Sequence, residues 1–297
     1  MSEEFNLLDD LLDMHNDTHE EEVKRSTIER APFGYVGSKF KSIRELDKHL
    51  PYRKKWIDLF CGSGIVTFNR QESPIEVMND RYGGVVPFYR CLRDKVKMEQ
   101  MMEWLELTVH SREEFYECRN TWCTETDDVI RAAKWYYMLQ SSTIASGRTF
   151  GRNTNNPGNE HRKVSARLPL FPVIHARLKN VTLENLDFEV CMKDYDAASA
   201  VFYADPPYVG TNNVYQGAWT RDDLARLLRR VEKTQGFVAL SSYADTQIDE
   251  CKFWTARHTW EVPIMTETKG FVEGSCKEHL KDVKTTDYAT EVLWIKA

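Results

Sequence analysis

Residues 56–60 form a buried-strand pattern that leads directly into the turn Cys61-Gly62-Ser63-Gly64, and a helix-compatible stretch follows. A strand, a glycine turn and a helix in this order are typical of α/β sheets, because glycine lets the backbone approach a nucleotide-like ligand closely. The next predicted strand ends at Asn79-Asp80, so an acid stands about 20 residues beyond the first glycine, where such folds bind a ribose hydroxyl. An ordinary tight strand–helix turn is the alternative interpretation of the glycines.

Apolar runs and helical periodicities alternate along most of the chain. The patterns predict strands at 56–60, 75–79, 181–183, 200–204, 237–240, 259–264 and 291–296. They predict helices at 38–50 and 221–233, the second capped by Thr220, and a mostly helical region over 84–146. This alternation indicates an α/β fold with a doubly wound, largely parallel, Rossmann-like sheet. A helical segment is inserted between the second and third strands.

The predicted strand 200–204 is followed by Asp205-Pro206-Pro207-Tyr208. Two prolines remove two backbone donors and fix two φ angles, which makes the chain rigid just past the carboxyl end of a strand. Open α/β sheets bind their ligands at that edge. The acid offers a fixed acceptor and the tyrosine a flat face, which suits a site that holds a planar, amine-bearing ring. An Asp-Pro turn beside a core tyrosine is the alternative.

The net charge of −6 is unevenly distributed. Residues 1–30 hold ten acids and three bases, a net charge of −7, so the remainder of the chain carries +1. We expect this acidic segment to be a flexible tail, with a docking peptide or a DNA-mimicking cover as alternatives. Residues 147–179 carry seven bases against Glu160 alone. That excess predicts a surface that contacts phosphates, unless it is simply a solvated basic loop.

Residues 146–159 are rich in glycine, asparagine and arginine, a composition that predicts a loop. Arginine and asparagine are also the side chains that read guanine and adenine edges through paired hydrogen bonds. An ordinary turn-rich loop is the alternative. The candidate DNA-binding residues from this loop and the adjoining basic stretch are Arg148, Arg152, Asn153, Asn155, Arg162, Lys163 and Arg167.

Seven cysteines at irregular spacing favour a reducing compartment over a disulfide framework. The pair Cys118 and Cys123 has no second pair of cysteines or histidines nearby, so no metal site is expected. The sequence contains no run of 18 apolar residues and begins with an acidic segment, which predicts neither a membrane span nor a signal peptide. We therefore expect a cytoplasmic protein.

Five segments in a fixed order give the chain a resemblance to a known family. They are Tyr35-Val36-Gly37-Ser38-Lys39, Phe60-Cys61-Gly62-Ser63-Gly64, Asp80, Asn185-Leu186-Asp187-Phe188 and Asp205-Pro206-Pro207-Tyr208. The chain resembles the Dam-type (D12 class) DNA adenine-N6 methyltransferases over about residues 32–297. The motif order is the alpha arrangement of that family, in which a target-recognition insertion precedes the Asp-Pro-Pro-Tyr segment.

The resemblance implies S-adenosylmethionine as the cofactor and duplex DNA as the partner, in a bacterial or phage-infected cell. The implied cofactor-binding residues are Tyr35, Lys39, Phe60, Gly62, Gly64, Asp80, Asp187 and Asp205. The implied catalytic residues are Asp205, Pro206, Pro207 and Tyr208, and Tyr215 and Trp219 would shape the pocket for a flipped base. It also implies a catalytic domain of 31–94 and 176–297 and a target-recognition domain of 95–175. Both a monomer and a weak dimer on DNA stay open.

The expected reaction is methyl transfer to the N6 amine of adenine in a specific short duplex sequence. The carboxylate of Asp205 and the carbonyl of Pro206 would accept the two N–H bonds of the amine and direct its lone pair at a methyl sulfonium. Because the target atom lies inside a duplex, the base must be flipped out. Methylation of cytosine N4 or of RNA, and a catalytically silent binding protein that keeps the fold, are the competing interpretations.

Overall fold

The computed structural model describes residues 30–151, 164–209, 219–263 and 288–297. Its strands in these ranges form one sheet in the order β3-β2-β1-β4-β5-β7-β6. The strands are β1 (Lys55–Asp58), β2 (Ile75–Asn79), β3 (Val181–Glu184), β4 (Ala200–Ala204), β5 (Phe237–Tyr243), β6 (Ala256–Pro263) and β7 (Tyr288–Lys296). The predicted α/β class is therefore confirmed.

The first five strands pair in parallel, whereas β7 pairs antiparallel with both β5 and β6. The chain moves outward from β1 to β2 and β3, and then returns to place β4 on the other side of β1. The point where the strand order reverses is where open α/β sheets bind ligands. Asp58, the last residue of β1, pairs with Tyr203 of β4, so the two chain segments that follow these strands begin side by side.

The helices lie on both faces of the sheet. They are α1 (Ile43–Asp47), α2 (Ile65–Phe68), α3 (Val85–Arg93), α4 (Lys95–Leu107), α5 (Arg112–Thr121), α6 (Asp128–Gln140), α7 (Phe171–Arg177), α8 (Phe188–Tyr195), α9 (Arg221–Lys233) and α10 (Thr246–Asp249). Short 3₁₀ turns cover Lys39–Ser42, Thr143–Ala145, Leu168–Leu170 and Leu178–Asn180. Residues predicted as one helix over 38–50 thus divide into a 3₁₀ turn and α1.

Helix α9 has the bounds predicted from the sequence, and its amino terminus explains why. Thr220 accepts a hydrogen bond from the backbone of Asp223, whose side chain in turn accepts from the backbone of Thr220. This capping box satisfies two donors that the helix would otherwise leave unpaired. Leu224, Leu227 and Leu228 recur at helical spacing and are buried against the sheet.

The helices between β2 and β3 share an apolar core with the sheet. One continuous cluster of buried side chains joins Met78 of β2 and Phe68 of α2 to Phe115 of α5 and Trp135 of α6. The predicted domain boundary at residue 95 falls between α3 and α4. Only Asp94 separates these two helices, and it caps α4. The target-recognition domain predicted at 95–175 is therefore continuous in packing with the sheet.

Across the described ranges, no helix is long and apolar enough to cross a membrane. Within those same ranges, no group of three or more histidines, cysteines or acids is arranged to hold a metal ion.

Candidate active site

A cavity of about 610 Å³ opens where β1, β2 and β4 end. Its walls combine the segment that precedes the first 3₁₀ turn, the glycine turn after β1, the loop after β2 and the Asp-Pro-Pro-Tyr segment after β4. The predicted site residues that line it are Tyr35, Lys39, Phe60, Gly62, Asp80, Asp205, Pro206, Pro207 and Tyr208. Trp219 also lies in the wall, and its ring packs edge-on against Phe60.

Asp58 lines this cavity and is almost fully buried. The side chain is 2% exposed, and its Oδ2 accepts a hydrogen bond of 2.7 Å from Thr67, whose hydroxyl accepts one from Trp56. Its Oδ1 has no hydrogen-bond partner among the residues that the structure describes. Burial raises the pKa of Asp58 to about 7. A buried acceptor without a donor is costly, so a donor or cation from a ligand would stabilise this oxygen.

The turn after β1 requires glycine at its centre. Gly62 has a φ of +46°, and a Cβ there would lie 2.7 Å from the ring of Tyr35. Gly64 has a φ of +65°, and a Cβ there would collide with Phe68 and Met78. Gly62 therefore keeps the cavity wall thin beside Tyr35, whereas Gly64 serves the close packing of the turn on α2 and β2.

The backbone of the same turn orients Asp80. The amide of Gly62 donates to Oδ2 of Asp80 over 2.9 Å, and the amide of Tyr82 donates to Oδ1 over 2.8 Å. Burial raises the pKa of Asp80 to about 6 against these two hydrogen bonds, which favour the ionised form. Each carboxylate oxygen has two lone pairs, so one acceptor position is left on each for ligand hydroxyls.

Asp205 forms a buried ion pair with Lys39, from a segment 166 residues away in the sequence. The ammonium nitrogen of Lys39 lies 2.7 Å from each carboxylate oxygen of Asp205. Burial raises the pKa of Asp205 to about 6, with Lys39 opposing and Glu291 reinforcing the rise. The pKa of Lys39 is also raised, since the attraction of Asp205 and Glu291 outweighs the desolvation that would lower it. Both groups are therefore charged at neutral pH.

Tyr208 lies between Asp205 and the last strand. Its hydroxyl is 3.3 Å from Oδ1 of Asp205 and donates a short hydrogen bond to Glu291. Its ring packs edge-on against Tyr243 at 4.6 Å between centroids, and the Lys39 ammonium lies 5.1 Å from the ring centre. These contacts fix the plane of the ring at the cavity wall.

The charges that line the cavity favour a cationic ligand. Asp58, Asp80, Asp205 and Asp223 contribute four carboxyl groups, against the single ammonium of Lys39 and the exposed Arg81. Burial strengthens the interaction of these groups with a bound charge, because little water screens them. A ligand that carries positive charge and hydroxyl groups would satisfy the acceptors that the protein leaves open.

The family model for the D12 class of N6 adenine-specific DNA methyltransferases matches residues 35–254, which include both the glycine turn and the Asp-Pro-Pro-Tyr segment. The chain belongs to this family. The methyltransferase resembles two curated proteins named DNA adenine methylase, from two strains of Vibrio cholerae serotype O1. Each is 23% identical over 235 residues, which cover 73% of this chain and 82% of the relative.

A solved structure, that of a precorrin 8w decarboxylase from Methanobacterium thermoautotrophicum, aligns with 89% of this chain and 92% of its own. The identity is 10% and the TM-score 0.35, which is too low to support any statement on fold or function. The family match identifies the protein as an adenine-specific DNA methyltransferase.

Two predicted cofactor-binding residues of the methyltransferase do not line the cavity. Gly64 packs closely against Phe68 of α2 and Met78 of β2. Asp187 caps α8 through the amide of Glu189 and forms ion pairs with Arg81 and Arg226, each at 3.0 Å. Its neighbours Leu186 and Phe188 do line the cavity, so this turn contributes apolar surface there.

The structure describes two of the seven candidate DNA-binding residues. Arg148 is exposed, as a phosphate-contacting residue should be. Arg167 is half-buried and donates to the carbonyl of Ala31 over 2.7 Å, and burial lowers its pKa. Its contact therefore holds the start of the described chain against the helical region. Arg152, Asn153, Asn155, Arg162 and Lys163 lie outside the described residues, as does Tyr215.

Sequence reasoning missed two acids of the site. Asp58 was assigned only to a strand, although its position at the carboxyl end of β1, directly before the glycine turn, was a usable signal. Glu291 stands 83 residues beyond Tyr208 in the sequence, and the pairing of β7 with β5 brings it into hydrogen-bond contact with that residue. No motif in the sequence marks Glu291.

Proposed function

We propose that this methyltransferase transfers a methyl group from S-adenosylmethionine to the N6 amine of an adenine that has been flipped out of a specific short duplex DNA sequence. One observation carries the proposal: a single cavity is lined by Asp58, one of whose carboxylate oxygens has no partner among the described residues, and by Asp205 and Pro206. The first suits a cationic donor molecule and the second an amine that must be oriented. Both would be needed for transfer between two bound reactants.

The residues present fit S-adenosylmethionine. Asp58 would accept from the ammonium of its methionine part, and Asp80 would accept from the ribose hydroxyls with the lone pairs that the backbone leaves free. Phe60 would pack on the adenine ring, since its own ring forms the cavity wall beside Trp219. When bound, the cofactor would supply a methyl group on a sulfonium that needs no further activation.

The acceptors after β4 would orient the target amine. The lone pair of an exocyclic amine is delocalised into its ring, which makes the nitrogen a poor nucleophile. Hydrogen bonds from its two N–H groups to Asp205 and the Pro206 carbonyl would favour a tetrahedral nitrogen and stabilise the positive charge that develops there. Fixed alignment of two bound reactants can lower a barrier by about 7–11 kcal/mol. The ring of Tyr208 would stack on the flipped base.

Methyl transfer from labelled S-adenosylmethionine to unmethylated duplex DNA tests this function. We expect nucleoside analysis to find N6-methyladenine, and the modified positions to define a short sequence. Single-stranded DNA and RNA of the same sequence serve as matched substrates. N4-methylcytosine as the product, or transfer to RNA alone, would contradict the proposal. No transfer to any nucleic acid despite bound cofactor would favour a silent binding protein.

Asp58→Asn should weaken S-adenosylmethionine binding by about 10- to 100-fold, the value of a charge-assisted hydrogen bond of about 1.5–3 kcal/mol. In the wild type, the raised pKa of about 7 leaves Asp58 partly protonated in the empty site. Because the ammonium needs the carboxylate, we expect the wild-type Kd to fall as pH rises from about 6 to about 7.5, below the range in which α-amino groups lose their proton.

Calorimetric titration across this pH range measures both the Kd of S-adenosylmethionine and its dependence on pH. Asp58→Asn should lose most of this pH dependence as well as affinity. Asp194→Asn is the matched control, because Asp194 is an exposed acid of α8 that does not line the cavity, and it should keep the wild-type pH slope. A slope unchanged in Asp58→Asn would assign the titration to another group.

A further inference from the structure

Glu291 of β7 contacts the last residue of the Asp-Pro-Pro-Tyr segment, Tyr208. It is 3% exposed, and its Oε1 accepts hydrogen bonds from Ser241 over 2.6 Å and from the hydroxyl of Tyr208. It stands outside the residues 35–254 that match the family, and the proposed reaction leaves it without a role. A buried acid needs compensation for its lost hydration, so its partners are informative.

The partner that matters is Lys39, which lies between two buried carboxylates. Its ammonium nitrogen is 2.7 Å from both oxygens of Asp205, 3.6 Å from Oε1 of Glu291 and 3.3 Å from the carbonyl of Gly37. Two acids thus share one cation in a site from which water is largely excluded. In this structure the ammonium is in hydrogen-bond contact with Asp205 and lies farther from Glu291.

That contact conflicts with the proposed chemistry. Lys39 contacts both oxygens of Asp205, and the Tyr208 hydroxyl lies near one of them, so the lone pairs that stay open lie beside an ammonium. An ammonium on both oxygens also neutralises the negative charge that should stabilise a developing positive nitrogen. The acceptor for the target amine must therefore be released, at least in part, before transfer.

We propose that Glu291 is a positioning residue that draws the Lys39 ammonium away from Asp205 when the adenine amine binds. The inference rests on the proposed function. The separation of 3.6 Å exceeds a charge-assisted hydrogen bond of about 2.7–2.9 Å by less than about 1 Å, and the lysine stem is flexible. A small movement thus transfers the cation to Glu291 without exposing any charge.

Glu291→Gln tests the charge while keeping the shape. The amide oxygen of glutamine can still accept from Ser241 and Tyr208, but Lys39 then has no second carboxylate to move to. We expect kcat to fall by at least tenfold, while KM for duplex DNA and Kd for S-adenosylmethionine stay within about threefold. Ser241→Ala is the matched control, because it removes a hydrogen bond to the same oxygen and leaves the charge. It should keep kcat within about threefold of the wild type.

A double variant separates charge balance from structure. Lys39→Met leaves two uncompensated carboxylates, and because Lys39 opposes the rise in the pKa of Asp205, we expect its loss to favour protonation of that acceptor. Lys39→Met combined with Glu291→Gln leaves Asp205 alone, so we expect the double variant to transfer methyl groups at least fivefold faster than Lys39→Met. A purely structural role for Glu291 predicts the opposite, because two defects in one packed cluster should lower activity further.

The outcomes distinguish this inference from the proposed function. If the wild type makes no N6-methyladenine, the proposed function fails. If the wild type is active and Glu291→Gln has the wild-type kcat, or the double variant is no faster than Lys39→Met, the role of Glu291 is overturned. Where Glu291→Gln lowers the melting temperature, the comparison of Lys39→Met with the double variant still decides, since added instability works against the expected rescue.

Discussion

We expect Asp205→Asn to lower kcat for methyl transfer by about 10²–10³-fold, the effect of removing one preorganised electrostatic partner of a transition state. The substitution keeps the shape of the side chain but removes its negative charge. In the wild type the ammonium of Lys39 contacts both carboxylate oxygens of Asp205. The amide of asparagine would instead direct an N–H donor at either this ammonium or the target amine. The positive charge that develops on the amine nitrogen would then have no adjacent anion.

Single-turnover transfer from labelled cofactor to duplex DNA measures this loss directly. The Kd of the cofactor should change much less than kcat, because Asp58 and Asp80 remain. Asp222→Asn is the matched control, since Asp222 is an exposed acid in the first turn of α9, and it should transfer at the wild-type rate. Retention of more than about a tenth of the wild-type kcat in Asp205→Asn would remove this carboxylate from the chemistry.

The fold was predictable where local signals are strong. Strand β4 and helix α9 have the predicted bounds, because β4 is a continuous apolar run closed by prolines and α9 begins at a complete capping box. The prediction of edge strand β6 was less accurate: the strand begins three residues before its predicted start, and its alternating exposure gives a weak apolar signal. The sequence could not show that β7 returns antiparallel between β5 and β6, since pairing of distant strands has no local signature.

The candidate site was predictable as a set of motifs and less so as a set of contacts. Because the carboxyl ends of parallel strands share one edge, motifs after β1, β2 and β4 were expected to meet, and they line one cavity. The ion pair of Lys39 with Asp205 was not anticipated, because it joins segments that are 166 residues apart in the sequence. Asp187 shows the reverse case: its place in a motif indicated a ligand contact, whereas its contacts are a helix cap and two arginines.

Trp135→Ala should lower the free energy of unfolding by about 3–5 kcal/mol, as for other large aromatic residues removed from a core. Its indole is fully buried on α6, where it packs edge-on against Phe33 at 5.0 Å between centroids and lies close to Phe88 of α3. Gly84 leaves the space for it, because a Cβ there would lie 2.0 Å from the indole nitrogen.

This prediction decides whether the helical insertion is an independent domain. Trp135 lies within the predicted target-recognition domain of 95–175, but its neighbours Phe33 and Phe88 lie in the predicted catalytic domain of 31–94 and 176–297. Denaturant unfolding should therefore show one transition in the wild type and one, at lower denaturant, in Trp135→Ala. Val96→Ala is the control, since Val96 is exposed on α4 and its loss should change the unfolding free energy by less than about 0.5 kcal/mol. Two separate transitions, of which only one moves in Trp135→Ala, would instead establish an insertion that folds on its own and merely rests against the sheet.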